Sequence, residues 1–388
     1  MKKTIAAVMA LLLVAAAPVS AQDLMTKKEV FSIASFTTQS GRTLKDVKVG
    51  WESYGTLNAD KSNAILICHF FSGNSHAAGK YSADEKAAGY WDAIIGPGKA
   101  IDTNKYFVLS SDTLVNLNMD PNTTTTGPAS INPDTGKPYG MDFPIVSFRD
   151  FIEVQKQLVE SLGIKKLVMV GGASMGALQA YEWASTYPDM VGKLMPVIAA
   201  GTADAGLIGW LDIWASPIRL DPKWNNGDYY GKEPPLAGLT QSLKIVTMHA
   251  NHFDWANATF QSKWAKEGED PQKSHAAKYA VEGVLEAAGA ARAKVSDANH
   301  FLYLVKANQQ FAAADSTARL SKIKAPTLLI YSPKDMVFMG DYVKKTAEAL
   351  KAGGTKVETV ELQGNRGHLD GVLSIKQAEK AISDFLAK

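Results

Sequence analysis

The chain is predicted to fold as an α/β protein with a mostly parallel, doubly wound sheet and a helical cap insertion, and three observations predict it. Short β-branched runs alternate with helix-forming stretches through the first half and again near the C-terminus, which is the pattern of βαβ units. A Gly-x-Ser-x-Gly pentapeptide, Gly172-Ala173-Ser174-Met175-Gly176, lies between such a run and such a stretch. Between Ala199 and Lys322 the alternation stops, and a segment with Trp210, Trp214, Trp224, Trp255 and Trp264 takes its place.

In chain order, Lys2 and Lys3 precede an apolar run from Ile5 to Ala17, followed by Pro18-Val19-Ser20-Ala21. Basic residues, an apolar stretch and small residues at the two positions a signal peptidase reads predict a secretory signal over 1–21, with a periplasmic or secreted mature protein. The rival expectation is an uncleaved N-terminal anchor. The run is shorter than the about 20 apolar residues of a membrane span, so no integral span is expected.

Strands are predicted at Val30 to Phe36, Val47 to Ser53, Ala64 to Cys68, Tyr106 to Ser110, Lys166 to Val170, Lys193 to Ile198, Pro326 to Tyr331 and Lys356 to Leu362. The first two read as an antiparallel start. Phe148 to Leu162, Ala177 to Ser185, Tyr342 to Ala352 and Ile375 to Ala387 carry helical spacing. The sheet core is therefore expected from 22–198 and 323–388, with 199–322 as a cap. Within the cap, Leu239 to Met248, Ser274 to Ala288 and Phe301 to Ala314 read as helices. A cap at this place covers the C-terminal edge of the strands, where ligands bind in open α/β sheets.

Composition narrows the function. With 41 Lys and Arg against 39 Asp and Glu, net charge is +2, and no basic block suggests a nucleic-acid partner. The single cysteine, Cys68, ends an apolar strand and reads as a buried core thiol. No Cys-x-x-Cys or His-Glu-x-x-His spacing suggests a metal. The Asn122-Thr123-Thr124-Thr125-Thr126 loop has no assignable role.

The pentapeptide carries the chemistry. A serine on a sharp strand-to-helix turn stands clear of the sheet, and small residues must flank it because the backbones approach closely. A serine hydroxyl is a weak nucleophile at neutral pH, so it needs a base within hydrogen-bond reach and a carboxylate to orient that base. In this architecture the order is serine, acid, histidine. Of seven histidines, only His368 follows the last strand, so it is the expected base. Asp335, after the strand Pro326 to Tyr331, is the expected acid, and Asp204, one strand earlier, is its competitor. His249, His252, His275 and His300 fall in the cap and read as structural or pocket-lining, while His69 and His76 belong to another loop. A developing oxyanion needs two backbone N–H donors. Met175, after the nucleophile, supplies one, and Phe71, after the strand Ala64 to Cys68, the other. Trp210, Trp214, Tyr229 and Leu369 are the expected lining of the substrate pocket.

At these residues the chain resembles the homoserine O-acetyltransferase family of α/β-hydrolase-fold enzymes. The likeness runs over most of the sequence past the signal. It rests on the segments 69–76, 89–103, Gly127-Pro128-Ala129-Ser130-Ile131-Asn132-Pro133, Gly172 to Gly176, 221–230 and Gly367-His368. The resemblance implies the triad Ser174, Asp335 and His368 and an acyl-enzyme mechanism; no cofactor is expected. It also implies an arginine in the first cap helix for a substrate carboxylate and an aspartate directly after the histidine for its ammonium. This chain departs at both places. The position counted back from Asp221-Pro222 holds Ala215, and Leu369 follows His368, with Asp370 one place late. The loop before Gly127 is also replaced, by Asn116-Leu117-Asn118-Met119-Asp120-Pro121. Without charged anchors a zwitterion loses its strongest contacts. An exported acetyltransferase would also lack acetyl-CoA, whereas water is always present. The sequence therefore predicts an exported serine ester hydrolase acting on a small-molecule ester. An O-acyltransferase with an altered acceptor is the alternative, and a non-catalytic binding protein of the same fold a further one. A homodimer is left open.

Overall fold

The computed structural model describes residues 24–201 and 204–388, so the expected signal over 1–21 lies outside the described residues. The sheet strands are β1 (Glu29–Thr37), β2 (Thr43–Tyr54), β3 (Ala64–Cys68), β4 (Phe107–Ser111), β5 (Met169–Ala173), β6 (Leu194–Val197), β7 (Thr327–Tyr331) and β8 (Val357–Glu361). They form one sheet in the order β1-β2-β4-β3-β5-β6-β7-β8. β1 and β2 pair antiparallel, as do β2 and β4, and every later neighbour is parallel. A chain of alternating β-branched runs and helices can bury both faces of such a sheet only by winding helices over each.

The inner strands show this directly. Every residue of β3, β4, β5, β6 and β7 is buried. Side chains alternate between two cores: Leu66, Leu109, Val170 and Leu329 pack on one face, while Ile65, Ile67, Val108, Met169, Leu328 and Ile330 pack on the other. The first core receives α1 (Phe148–Ser161) and α2 (Met175–Thr186), and the second the C-terminal helix, α11 (Glu379–Ala387). α1 starts where Asp150 accepts the Ser147 N–H at 2.7 Å, capping the helix.

One strand lies three residues later than its apolar run suggested. Leu167 makes only an isolated bridge to Val191, and β5 continues through Gly171 and Gly172 into the pentapeptide. Those glycines pair opposite Ile67 and Cys68, because ladder hydrogen bonds need no side chain.

Between β6 and β7 the cap runs as α3 (Ala205–Leu220), α4 (Leu236–His249), α5 (Phe253–Phe260), α6 (Ala280–Ala293), α7 (Ala298–Ala313) and α8 (Ser316–Leu320). Helical spacing gives no sign of α3, whose interior Pro217 argues against a helix, and only the resemblance places a first cap helix there. Its start is held by Asp204, which accepts the N–H groups of Gly206 at 2.9 Å and Leu207 at 3.3 Å. α6 begins at Ala280 rather than Ser274, since Tyr279 bridges to Trp264 and its N–H is capped by Glu282 at 2.8 Å. After β7 come α9 (Gly340–Ala352) and, following β8, the short α10 (Asp370–Leu373). No helix among the described residues is long and apolar enough to cross a membrane.

A β-carbon at Gly176 would stand 2.1 Å from the Cys68 carbonyl oxygen, whereas one at Gly209, inside α3, would meet nothing within 4 Å. Gly176→Ala is expected to destabilise the fold by about 3 kcal/mol, and Gly209→Ala to stabilise it by about 0.5–1 kcal/mol. Urea unfolding followed by circular dichroism checks both signs.

Candidate active site

The turn at Ser174 is built by backbone crowding. Gly172 and Gly176 both face the Cys68 carbonyl, so β5, the N-terminus of α2 and the end of β3 meet without side chains between them. Ser174 sits between the glycines at φ 55°, ψ −122°, a conformation that costs an L-residue about 1–3 kcal/mol. Its surroundings hold it there. The Ser174 N–H donates to the Val197 carbonyl at the end of β6 (2.9 Å), and its carbonyl accepts from Ala177 (2.8 Å) and Leu178 (3.1 Å). The hydroxyl is left half-buried above the sheet.

Two loops from the far side of the sheet bring it partners. Asp335 follows β7, and His368 follows β8 on a tight turn with Gly367 at φ 63°. A β-carbon at Gly367 would lie 2.7 Å from the Lys334 carbonyl, so glycine allows the two loops to touch. His368 Nδ1 lies 2.8 Å from Asp335 Oδ2, and His368 Nε2 lies 2.7 Å from Ser174 Oγ. The other Asp335 oxygen accepts the N–H groups of Val337 (2.8 Å) and Phe338 (2.9 Å). Asp335 is 4% exposed and His368 8%, so bulk water does not weaken the pair. The carboxylate fixes the proton on Nδ1 and leaves Nε2 free to accept from the serine. The alternative acid, Asp204, is not brought here. It is exposed, caps α3 and accepts the Tyr342 hydroxyl.

The N–H groups of Phe71 and Met175 carry no hydrogen bond among the described residues. Met175 opens α2, and Phe71 lies three residues beyond Cys68, the residue against which that helix start packs. Asn116 Nδ2 donates to the Gly73 carbonyl (3.1 Å) and Asn118 Nδ2 to that of Ser72 (3.0 Å), fixing the Phe71 turn from below. The segment 116–121, noted in the sequence only as a replacement, thus has a role there.

The expected pocket residues separate into two groups. Trp214 is buried edge-on to Phe71, with centroids 5.6 Å apart, and its Nε1 donates to His249 Nδ1 at 3.2 Å. Trp210 is 43% exposed and stacks on the same imidazole at 4.1 Å. His249 Nε2 donates to the Met336 carbonyl at 3.0 Å, and burial lowers its pKa, so this ring is a neutral spacer beside the Asp335 loop. Leu369 is half-buried against Ala250, its N–H 3.3 Å from that carbonyl. Tyr229, in contrast, is a buried cap strut: its hydroxyl donates to Asp297 (2.8 Å) and accepts from the Asn299 N–H (3.2 Å). Its place near the cap tryptophans in sequence gave no sign of that partner. His300 is also structural, tying Asn116 to Ala129.

Neither Ala215 nor Leu369 carries a charge, and Ala215 is fully buried on α3. Asp370, one place after Leu369, is fully buried with its oxygens accepting from Ser374 (2.9 Å) and Ser332 (3.3 Å). Burial pushes the Cys68 thiol far above its ordinary pKa, so it takes no part as a nucleophile.

Comparison with known proteins agrees with the fold and bears on the chemistry. The family model described as the alpha/beta hydrolase fold matches residues 63–370. The homoserine O-acetyltransferase of Methanosphaerula palustris is 39% identical over 354 residues, covering 90% of this chain and 70% of that protein. Among solved structures, an esterase is 47% identical with a TM-score of 0.89, covering 93% of this chain and 100% of its own. The homoserine O-acetyltransferase from Bacillus anthracis has the same TM-score, 0.89, at 36% identity, covering 94% of this chain and 98% of its own.

Asp370→Ala leaves the hydroxyls of Ser332 and Ser374 without their buried acceptor. It is expected to lower unfolding free energy by about 1–3 kcal/mol, measured by denaturant titration.

Proposed function

Because the chain belongs to the homoserine O-acetyltransferase family of α/β-hydrolase-fold enzymes, we propose that it transfers acyl groups through an ester formed on Ser174, to a hydroxyl acceptor that is not an amino-acid zwitterion. The observation that carries this reading is the relay from Asp335 through His368 to Ser174, with contacts of 2.8 Å and 2.7 Å. As Ser174 Oγ attacks the ester carbonyl, its proton passes to His368 Nε2, and Asp335 stabilises the imidazolium. The carbonyl oxygen takes the negative charge between the Phe71 and Met175 amides. Collapse expels the alcohol, which leaves with the proton held on His368. An incoming hydroxyl then gives its proton to Nε2 and attacks the acyl-serine, and Ser174 Oγ leaves by taking that proton back from His368.

The acetyltransferase relatives support an alcohol as that acceptor. A second reading, ester hydrolysis, has its own observations: Leu369 and Ala215 supply no charge for an amino acid, Asp370 is spent on two serines, and the 47%-identical relative is an esterase. Water in the acceptor's place changes no step of the triad. The basic, apolar and small-residue order of 1–21 supports action outside the cytoplasm.

A fluorophosphonate probe is expected to label Ser174, with labelling lost in Ser174→Ala. In Asp335→Asn, p-nitrophenyl acetate turnover should fall by about 10⁴-fold in kcat, through the wrong histidine tautomer. Absence of labelling in folded protein would sink the acyl-enzyme reading. Turnover with a series of alcohols and with homoserine separates the two readings: faster p-nitrophenol release together with O-acetyl product marks a transferase. Release unchanged by any alcohol, with acetate the only acyl product, marks a hydrolase.

A further inference from the structure

Behind the Phe71 turn lies a buried ionic cluster that the proposed mechanism does not use. Glu52, on β2, is fully buried and Asp112, just after β4, is 1% exposed. Between them stands the ammonium of Lys28, 3.0 Å from Glu52 and 3.4 Å from Asp112, with its side chain 13% exposed. Gly50 makes the room. A β-carbon there would meet Asp112 Oδ2 at 2.3 Å and the Lys28 chain at 3.0 Å.

The cluster grips one short segment, residues 75–78, four residues beyond Phe71. Asp112 accepts the Ser75 N–H at 2.7 Å, and Lys28 donates to the Ser75 hydroxyl. Glu52 accepts from His76 Nδ1 (3.0 Å), the Tyr81 hydroxyl (2.6 Å) and the Tyr54 hydroxyl (3.0 Å), and the last in turn accepts the N–H groups of Ala77 and Ala78. The other Asp112 oxygen accepts the Thr124 N–H at 2.9 Å. Among the described residues, Glu85, 4.0 Å from His76 Nε2, the buried His69 and the buried Tyr90 also face the cluster. Burial alone would raise the Glu52 carboxyl, but the His76 hydrogen bond, the Lys28 charge and the Tyr81 hydroxyl together hold it below its ordinary value. Two carboxylates with one lysine form an arrangement in which removing the cation leaves adjacent buried like charges, one of which must then take a proton.

We propose that Lys28 is a positioning residue for acyl transfer: by offsetting one of the two buried carboxylate charges of Glu52 and Asp112 it fixes Ser75, and with it the turn that carries the Phe71 amide. This rests on the reading of Phe71 as an oxyanion donor. Lys28 touches no substrate. It acts by keeping the two carboxylates as hydrogen-bond acceptors for the segment that follows the turn.

The test compares Lys28→Met and the double variant Lys28→Met with Glu52→Gln against the unchanged protein, in p-nitrophenyl acetate turnover between about pH 5.5 and 8. In Lys28→Met, kcat is expected to fall about tenfold at the alkaline end with KM unchanged. The variant-to-wild-type ratio should recover toward the acid end, where the surplus carboxylate is protonated. The double variant restores the original charge balance and should return to within about threefold of wild type, with a ratio flat in pH. The proposal is overturned if folded Lys28→Met keeps wild-type kcat, or if its loss is the same at every pH and shared by the double variant. If Lys28→Met does not fold, the double variant decides alone: near-wild-type kcat with a flat ratio supports the proposal, and a large loss overturns it. Failure of the acyl-enzyme reading, on which a Phe71 oxyanion role depends, looks different, as Ser174→Ala retaining turnover, and that result removes this inference with it.

Discussion

The arrangement depends on one close approach: β5 and the first turn of α2 pass directly over the Cys68 carbonyl at the end of β3. No side chain fits in that crossing, so Gly172 and Gly176 bracket the turn and Ser174 is forced to positive φ. The strain is tolerated because three strands fix the turn from below, β3 by contact, β5 by continuity and β6 through the Val197 carbonyl. The same crossing sets the place of Phe71, since the chain leaving Cys68 turns within three residues to present it. The Ser174 hydroxyl and the N–H groups of Phe71 and Met175 therefore share one rigid origin.

His368 and Asp335 are held by different means. They arrive on loops after β7 and β8, and β8 is the edge strand of the sheet with exposed residues along its length. What steadies them is local: two amides on Asp335, the close pass of Gly367 under Lys334, and the buried Trp91, whose Nε1 donates to the Gly371 carbonyl at 3.1 Å. Charge-assisted hydrogen bonds in a dry site make up for weaker support from the sheet.

Much of this was legible in the chain. A glycine-flanked serine between an apolar run and a helix marks a crowded turn, and the order of strands places Asp335 and His368 at the same sheet edge. The ladder extending through Gly171 and Gly172 was not legible, because apolar patterning is silent where the backbone alone pairs. The helix at Ala205–Leu220 was hidden by Pro217. Tyr229 looked like pocket lining because an aromatic in a cap carries no mark of its partner, here Asp297, 68 residues away. Lys28, Glu52, Asp112 and Ser75 are likewise scattered over separate segments, and only strand pairing brings them into one cluster.

The cap enters after β6 and returns before β7, so it is attached to the sheet by two neighbouring strands and contains none of Ser174, Asp335, His368, Phe71 or Met175. This makes the molecule modular in an evolutionary sense. Substitutions on α3 to α7 can reshape what lies over Ser174 while Ser174, Asp335 and His368 keep their spacing, so relatives can diverge in the cap faster than in the sheet. Acetyltransferases and an esterase in one lineage are the outcome such an attachment permits.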